Sequence, residues 1–392
     1  METYLITVSN FTTLSINIMN ILSVYWGHHH RGCWKRLWQI LDYLANQGHH
    51  IWLLVSQENP TVTSPNVQVI LINFPLPFLD LSEIYFGLVS PLTAILINLV
   101  FPIDVLLAFD GHNAGLLSLS RALFKKTRLI LCVRSHFIFN NDLGDDPWWL
   151  SAFKKKADIW SHSFCDLTIY NCLETANQIE KLYSKPPHLV KVVLNNVQFK
   201  NIDLEVRHKL HQQLGIKADD FVIGYCGQLI PRKNLGFLLN AIAEIPRELP
   251  IKLLIQGRGV MYDDLVAQTY QLGLENRVFF LPWSDNMTAF YSSLDLFILP
   301  SKYDTCSNAL LDAIGYNKCV LASNSGGNRE ILGGDERLLF PLSNHRVLAD
   351  KIIGLMTDTT VFNESQKAVY IQAIKLNFNW NDVIANLIFT AL

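Results

Sequence analysis

Charge of either sign is scarce in this chain of 392 residues, since only 17% of the positions are Asp, Glu, Lys or Arg. The 32 basic and 34 acidic side chains nearly cancel, and neither half of the chain has a strong bias. A chain without a strongly basic region lacks the electrostatic attraction that nucleic acid requires. We therefore expect no nucleic-acid partner.

Cysteine and metal-binding motifs are missing as well. The seven cysteines form no Cys-x-x-Cys pair and lie in apolar runs such as Leu131-Cys132-Val133, which predicts reduced, buried thiols in a cytoplasmic protein. The chain also has no Asp-x-Asp to suggest a metal. Three histidines stand at 28–30, but adjacent side chains cannot all face one ion, which favours a solvated or active-site loop.

An uninterrupted membrane span is also lacking. The most apolar stretch, 86–109, contains Pro91, Pro102 and Asp104, whereas a spanning helix needs about 20 apolar residues with few breaks. The stretch therefore predicts a buried helix followed by a buried strand. The N-terminus has neither a basic region nor a small-residue cleavage site, so no signal peptide is predicted.

Hydrophobic residues make up half of the chain, which is enough for two packed cores, and the length suggests two domains. Strand and helix patterns alternate along it. The segment 19–26 predicts an opening strand, 34–47 an amphipathic helix and 51–55 the next strand, which together form one βαβ unit. Buried runs near 221–226 and 296–299 predict strands of a second parallel sheet.

The segment 299–332 has the most distinctive pattern. The strand ending at Leu299 is followed by a polar turn and a predicted helix over 308–314, with Ser307 and Asn308 as candidate N-caps. A further strand, 319–322, runs into a glycine turn. Two strand ends and a helix start therefore face one crevice, where free amide N–H groups favour an anion such as a phosphate.

This segment resembles the signature of retaining nucleotide-sugar glycosyltransferases of family 4, which have the GT-B architecture. That family carries Pro-Ser, an acidic residue, seven residues, a second acidic residue with Ala, and a Gly-Gly turn before Glu. The matching positions are Pro300-Ser301, Asp304, Asp312-Ala313, Gly326-Gly327 and Glu330. The family usually has Glu at both acidic positions, and Asp keeps the charge with a side chain shorter by one methylene.

The resemblance implies an α/β fold of GT-B architecture, with two Rossmann-like domains whose parallel sheets face a central cleft. Residues 1–18 are predicted to be an appendage outside the first sheet. Residues 19–196 would form the acceptor-side domain, completed by a returning C-terminal helix over 377–392. Residues 197–376 would form the domain that binds the nucleotide sugar.

In the first domain, the resemblance places the glycine-bearing turn at Gly27 against the donor phosphates. His136, at the end of the predicted strand 129–133, matches a family histidine that faces the transferred sugar. A core or loop histidine bonded to the backbone is the alternative. His112 and Arg134 are weaker candidates for the acceptor side.

In the second domain, Lys233 matches the lysine of the family pattern Gly-Arg-Leu-x-x-x-Lys, while Gln228 stands in place of the arginine. Arg232 is a candidate substitute, although adjacent side chains normally point in different directions. Gly257 belongs to a turn like the family's Gly-x-Gly.

The resemblance implies that Lys233 and the amides around Ser307 and Asn308 stabilise the leaving diphosphate. Asp304 would hold hydroxyls of the donor sugar and Asp312 those of the ribose. Lys233, Asp304 and His136 are the candidate catalytic residues. No metal is expected, because protein cations already face the phosphates.

The implied reaction moves a sugar from a nucleoside-diphosphate donor to a hydroxyl of a glycan, lipid-linked or small-molecule acceptor, with retained anomeric configuration. The donor is a co-substrate, and no cofactor is expected. Cations near the end of a predicted helix, Lys125, Lys126 and Arg128, favour either helix capping or contact with anionic lipid at the inner membrane face. Two alternatives remain open: a catalytically weak nucleotide-sugar binder or partner subunit, and another enzyme on a double Rossmann scaffold, such as a sugar-nucleotide epimerase.

Overall fold

The computed structural model describes residues 18–25, 32–56, 65–72, 82–121, 124, 126–134, 148–182, 189–284 and 286–390. The predictions for Gly27, for His136 and for nearly all of the appendage 1–18 lie outside these residues. By contacts the chain divides into two compact units, which are Met1–Val193 with Asn379–Leu392, and Leu194–Phe378.

The described part of the first unit contains a parallel sheet of seven strands in the order β3-β2-β1-β4-β5-β6-β7. The strands are β1 (Asn20–Tyr25), β2 (His50–Val55), β3 (Val67–Leu71), β4 (Val105–Phe109), β5 (Arg128–Val133), β6 (Leu167–Tyr170) and β7 (Leu189–Val192). The helices are α1 (Gly32–Asn46), α2 (Ser82–Val100), α3 (Gly111–Arg121), α4 (Trp148–Phe164), α5 (Leu173–Leu182) and α14 (Trp380–Thr390).

The second unit contains a parallel sheet of six strands, with the order β10-β9-β8-β11-β12-β13 in the described residues. These are β8 (Phe221–Gln228), β9 (Ile251–Arg258), β10 (Val278–Leu281), β11 (Leu296–Leu299), β12 (Cys319–Ser323) and β13 (Leu339–Phe340). Its helices are α6 (Leu204–Leu214), α7 (Leu235–Ala243), α8 (Tyr262–Gln271), α9 (Thr288–Ser293), α10 (Asn308–Gly315), α11 (Asn328–Ile331), α12 (His345–Thr357) and α13 (Thr359–Leu376).

Both units therefore have the Rossmann-like alternation of strand and helix, and the predicted α/β fold class is confirmed. The central strands are continuous apolar runs: every residue of β4 and of β11 is buried. Parallel sheets covered by helices on both faces need such strands, because neither face meets water. All seven cysteines are free, and all but Cys33 are buried.

The last helix, α14, belongs to the first unit, where it packs against α1. The Tyr43 hydroxyl donates a hydrogen bond to the Asp382 carboxylate. The guanidinium of Arg36 lies 5.1 Å from the centre of the Trp380 ring, and Trp380 itself is fully buried. These contacts join the C-terminal end of the chain to its first helix.

One prediction about the helices of the first unit is wrong. The helix in the stretch 86–109, α2, is not buried on all sides: Leu92 is 60% exposed and Leu96 is 63% exposed. Only its opposite side, with Phe86 and Ala94, packs into the core. No helix among the described residues has both the length and the apolar character that crossing a membrane would take.

Candidate functional site

An ion pair lies at the carboxyl edge of the second unit's sheet. Lys233 belongs to a 3₁₀ turn, Pro231–Lys233, that follows β8, and Asp304 follows the neighbouring strand β11. The Lys233 Nζ is 2.5 Å from Asp304 Oδ2, and the two side chains are 12% and 13% exposed. The Ser301 hydroxyl donates a hydrogen bond of 3.3 Å to the same carboxylate oxygen. The fold thus places a cation and a carboxylate where ligands bind in open α/β sheets.

Arg232 also reaches this carboxylate. Its Nη1 lies 3.4 Å from Asp304 Oδ1 and donates a hydrogen bond of 2.7 Å to the Tyr303 carbonyl. The Lys302 amide in turn donates to the Arg232 carbonyl, so the 3₁₀ turn is held against residues 302–304. The expectation that these adjacent side chains diverge is therefore wrong. The 3₁₀ turn is held against residues 302–304, and both side chains reach the carboxylate of Asp304.

The charge state of Asp304 follows from its surroundings. Burial by itself would raise the pKa of the carboxyl, but the ammonium of Lys233 and the guanidinium of Arg232 outweigh burial and hold the pKa below its ordinary value. Asp304 is therefore ionised at neutral pH. The stability that the pair contributes is present above the ordinary aspartate pKa and is lost as the pH falls through the lower, folded-state pKa.

A glycine turn after β12 fixes the position of Asp304. The Gly327 amide donates a hydrogen bond of 2.7 Å to the Asp304 carbonyl. Gly326 has a φ of +56°, and a Cβ added there would overlap the Asp304 carbonyl oxygen. Only glycine satisfies both demands, the left-handed backbone and the close approach.

Helix α10 begins shortly after Asp304 in the chain. Ser307 caps the helix by accepting a hydrogen bond from the Leu310 amide, which confirms that predicted N-cap. Asn308 is the first helical residue, and its side-chain oxygen accepts a hydrogen bond of 2.9 Å from Asn195. The helix N-terminus provides amide N–H groups and a positive dipole end.

Asp312, one turn into α10, has a different cation from Asp304. Its Oδ1 lies 2.6 Å from the Nζ of Lys200, which is also 5.3 Å from the centre of the Tyr316 ring. Lys200 was missed by the sequence analysis. It stands 112 positions before its partner, just after the predicted boundary between the domains 19–196 and 197–376, and no motif marks it.

Gln228 and Gly257 lie at the same sheet edge, at the ends of β8 and β9. Gln228 is exposed, and Arg258 stands opposite it in the strand register. Gly257 stands opposite Gly227, and a Cβ on Gly257 would overlap the Gly227 carbonyl. The cation that the family places at 228 is absent, while a different arginine ends the neighbouring strand.

In the first unit, Arg134 follows β5 and is 8% exposed. Its guanidinium lies 4.7 Å from the centre of the Trp380 ring and 5.8 Å from that of Phe109. Its amide donates to the Asp110 carboxylate, and its carbonyl accepts from Asn171. His112 is half-buried at the start of α3. The described residues contain no cluster of three or more His, Cys, Asp or Glu side chains suited to a metal.

Two Rossmann-like units, one of which carries cations, a carboxylate and a helix start at its sheet edge, are typical of α/β proteins that bind a ligand at the carboxyl ends of their strands. Family comparisons specify the class further. The family "Glycosyltransferase Family 4" matches residues 31–199 and the family "Glycosyl transferases group 1" matches residues 206–375. The chain therefore belongs to the GT-B glycosyltransferases of the family 4 type, and the predicted resemblance is confirmed.

Among characterised relatives, an N-acetylgalactosaminyltransferase of Campylobacter jejuni that acts on a diphospho-undecaprenol-linked sugar is 26% identical over 49% of this chain and 51% of its own length. A lipopolysaccharide core biosynthesis glycosyltransferase, LpsE of Rhizobium meliloti, is 24% identical over 66% of this chain and 67% of its own. The chain spans about half the length of the first curated relatives that it matches.

Solved structures share the fold. HepE of Anabaena, in complex with UDP and glucose, superposes with a TM-score of 0.77 at 19% identity, over 95% of this chain and all of that one. Sucrose-phosphate synthase of Thermosynechococcus elongatus superposes with a TM-score of 0.76 at 17% identity, over 95% of this chain and all of that one.

Proposed function

We propose that this protein is a retaining glycosyltransferase that moves a sugar from a nucleoside-diphosphate donor to a hydroxyl of a glycan, lipid-linked or small-molecule acceptor. The observation that carries the proposal is the position of Lys233 and Arg232, which face Asp304 beside the start of α10. Because two cations share one carboxylate, the site has a net positive charge that can bind a diphosphate. The family and the UDP complexes of HepE support this assignment.

The leaving diphosphate gains negative charge as the bond to the sugar breaks. In the proposed mechanism, Lys233, Arg232 and the amide groups at the start of α10 stabilise that charge, which is electrostatic catalysis by groups already in place. Because these groups belong to the protein, the reaction needs no metal on the phosphates. His136 and Gly27 remain proposals from the resemblance, and so do Arg134 and His112 on the acceptor side.

The two carboxylates have separate tasks in this mechanism. Asp304, fixed by Lys233, Ser301 and the glycine turn, would accept hydrogen bonds from hydroxyls of the donor sugar. Asp312, one turn further along α10, would accept hydrogen bonds from the ribose hydroxyls. Each carboxylate is ion-paired to a different lysine, so their orientations are set independently.

The donor can be identified by thermal-shift measurements with UDP, GDP and ADP sugars. We expect a UDP sugar to stabilise the protein by about 2.7 kcal/mol when present at 100 times its Kd.

A radiolabelled donor tests the reaction itself. The donor should be hydrolysed slowly when no acceptor is present, and its sugar should be transferred when an acceptor is added. Binding without any turnover would favour the alternative of a weak nucleotide-sugar binder, for which the exposed Gln228 in place of an arginine is the motivating observation. Release of an isomerised donor would favour an epimerase.

Replacing Lys200 with methionine is expected to raise KM for the donor about fivefold and to leave kcat within about twofold. The variant keeps the apolar stem but removes the cation that orients Asp312, and a half-exposed pair of this kind contributes on the order of 1 kcal/mol. Ribose contacts are the same in the ground and transition states, so their loss appears in KM. Steady-state kinetics test this result.

Lys252→Met is the matched control, since Lys252 is half-buried like Lys200 and its Nζ donates to the Asn276 carbonyl. It should change neither constant. A fall in kcat at unchanged KM for Lys200→Met would contradict the role given to Lys200. It would indicate that Lys200 acts on the reacting groups in the transition state instead.

A further inference from the structure

The outer surface of the first unit has an apolar stripe that nothing in the proposed reaction uses. On α2, Leu88, Leu92, Leu96 and Leu99 are spaced by four, four and three positions, which places them on one side of a helix. Their exposed fractions run from 60% to 74%. The opposite side of α2 packs into the core through Phe86 and Ala94, so only the leucine side is available to a partner.

Helix α4 extends this apolar surface. Three of its aromatic side chains, Phe153, Trp160 and Phe164, are between 42% and 53% exposed. Helix α3 lies between α2 and α4 and contacts both. Its Gly115 comes so close to α4 that a Cβ there would overlap the Ala157 carbonyl. Helix α4 therefore packs closely against α3.

Two consecutive residues of α3 tie the outer helices together. The Ser120 hydroxyl donates a hydrogen bond of 3.3 Å to the Pro91 carbonyl of α2. The Arg121 guanidinium donates to the Phe164 carbonyl of α4. The backbone of α2 at Pro91 and the backbone of α4 at Phe164 are thus bonded to consecutive residues of α3, which joins the two outer helices on the same unit.

Cations border this surface. Lys155 and Lys156 are exposed on α4, and Lys126 and Arg128 are exposed just after α3. The carboxylate of Asp166 pairs with Arg121 at 2.7 Å and with Arg128 at 3.3 Å, so two guanidinium groups share one carboxylate at this end of α4. An apolar helix face bordered by Lys and Arg, with Trp among the exposed aromatics, is the pattern of proteins that lie in the interface of an anionic bilayer.

We propose that the outer face of α2 and α4 is a docking surface for a membrane containing anionic lipid. The leucines and aromatics would enter the boundary between head groups and acyl chains, while the lysines meet the lipid phosphates. The packed inner face of α2 keeps this helix in the plane of the membrane. Docking here does not depend on the donor site, so it is measured without turnover.

The experiment is co-sedimentation of the full chain with vesicles of phosphatidylcholine alone and of equimolar phosphatidylcholine and phosphatidylglycerol. We expect binding to the anionic vesicles to be at least about tenfold tighter and to weaken in high salt, because each lysine near the surface contributes about 1 kcal/mol, or about fivefold. The double variant Lys155→Gln/Lys156→Gln should lose most of that preference. The double variant Leu92→Glu/Leu96→Glu should lose binding to both kinds of vesicle.

The matched control is Ile371→Glu/Ile374→Glu, which places the same charges on an exposed apolar face of α13 in the other unit. This variant should bind vesicles like the wild type, and urea midpoints should show all three variants folded. Absence of vesicle binding, or equal loss in the α13 control, overturns the proposal. A concentration-dependent dimer that Leu92→Glu/Leu96→Glu abolishes, without vesicle binding, would assign the face to a second copy instead.

Discussion

Replacing Lys233 with alanine is expected to lower kcat/KM by about a hundred- to a thousandfold. The ammonium stabilises charge that develops on the leaving diphosphate, and removing one preorganised group of this kind typically costs about 3 to 4 kcal/mol in the transition state. Since Arg232 stays in place, some stabilisation remains and donor binding should survive. Transfer to an acceptor and hydrolysis of the donor should fall together, because both break the same bond.

The same change should also affect folding, since it removes the 2.5 Å partner of a buried carboxylate. Breaking a buried pair by deleting one member usually costs about 3 to 5 kcal/mol. We expect about 2 kcal/mol here, because Arg232 still faces Asp304 at 3.4 Å. Urea unfolding measures the loss.

A double variant separates stability from catalysis. Lys233→Ala/Asp304→Ala should recover part of the stability, because no carboxylate is left without its lysine, and should remain as inactive as the single variant. Full activity of Lys233→Ala, with the donor still bound, would refute the proposed role of Lys233 and would leave the protein as a nucleotide-sugar binder or another kind of enzyme.

Replacing Gly326 with alanine is expected to destabilise the protein by about 2 to 4 kcal/mol and to lower kcat by about ten- to a hundredfold. A residue with a side chain costs about 1 to 2 kcal/mol at a left-handed φ, and the overlap with the Asp304 carbonyl adds to that cost. The turn must move away from Asp304, and a displacement of about 1 Å at reacting groups can cost a hundredfold in rate. Urea unfolding and steady-state kinetics measure the two effects.

Gly354→Ala provides the control, because Gly354 lies within α12 and a Cβ there would meet no atom within 4 Å. It should stabilise the protein by up to about 1 kcal/mol, as expected for alanine in a helix interior, and leave kinetics unchanged. If Gly326→Ala behaved like this control, the turn would not be what holds Asp304.

Much of the site was predictable because its residues are close in sequence. The pattern from Leu296 to Glu330 predicted a strand, a capped helix and a glycine turn, and the structure has β11, α10 and the left-handed Gly326 in that order. Local signals of this kind depend on hydrophobic runs, caps and turn residues, all of which act over a few positions.

The ion pairs were not predictable in the same way. Lys233 and Asp304 are 71 positions apart, and Lys200 and Asp312 are 112 apart. The sequence predicted that Lys233 contacts a diphosphate and that both aspartates contact sugar hydroxyls, but it indicated no protein partner for either aspartate. Which cation meets which carboxylate depends on how strand ends are aligned across a sheet.

The sequence by itself determined the class of fold, since its alternating apolar runs and helical patterns build two parallel sheets, and it determined the segment that carries the candidate site. The tertiary structure alone decided that Arg232 and Lys233 share Asp304, that Lys200 holds Asp312, and that α2 exposes a row of leucines. The physical reason is that the periodicity of apolar residues indicates only which side of a single helix or strand is buried. Partners and exposed faces depend on elements that come together only after the chain has folded.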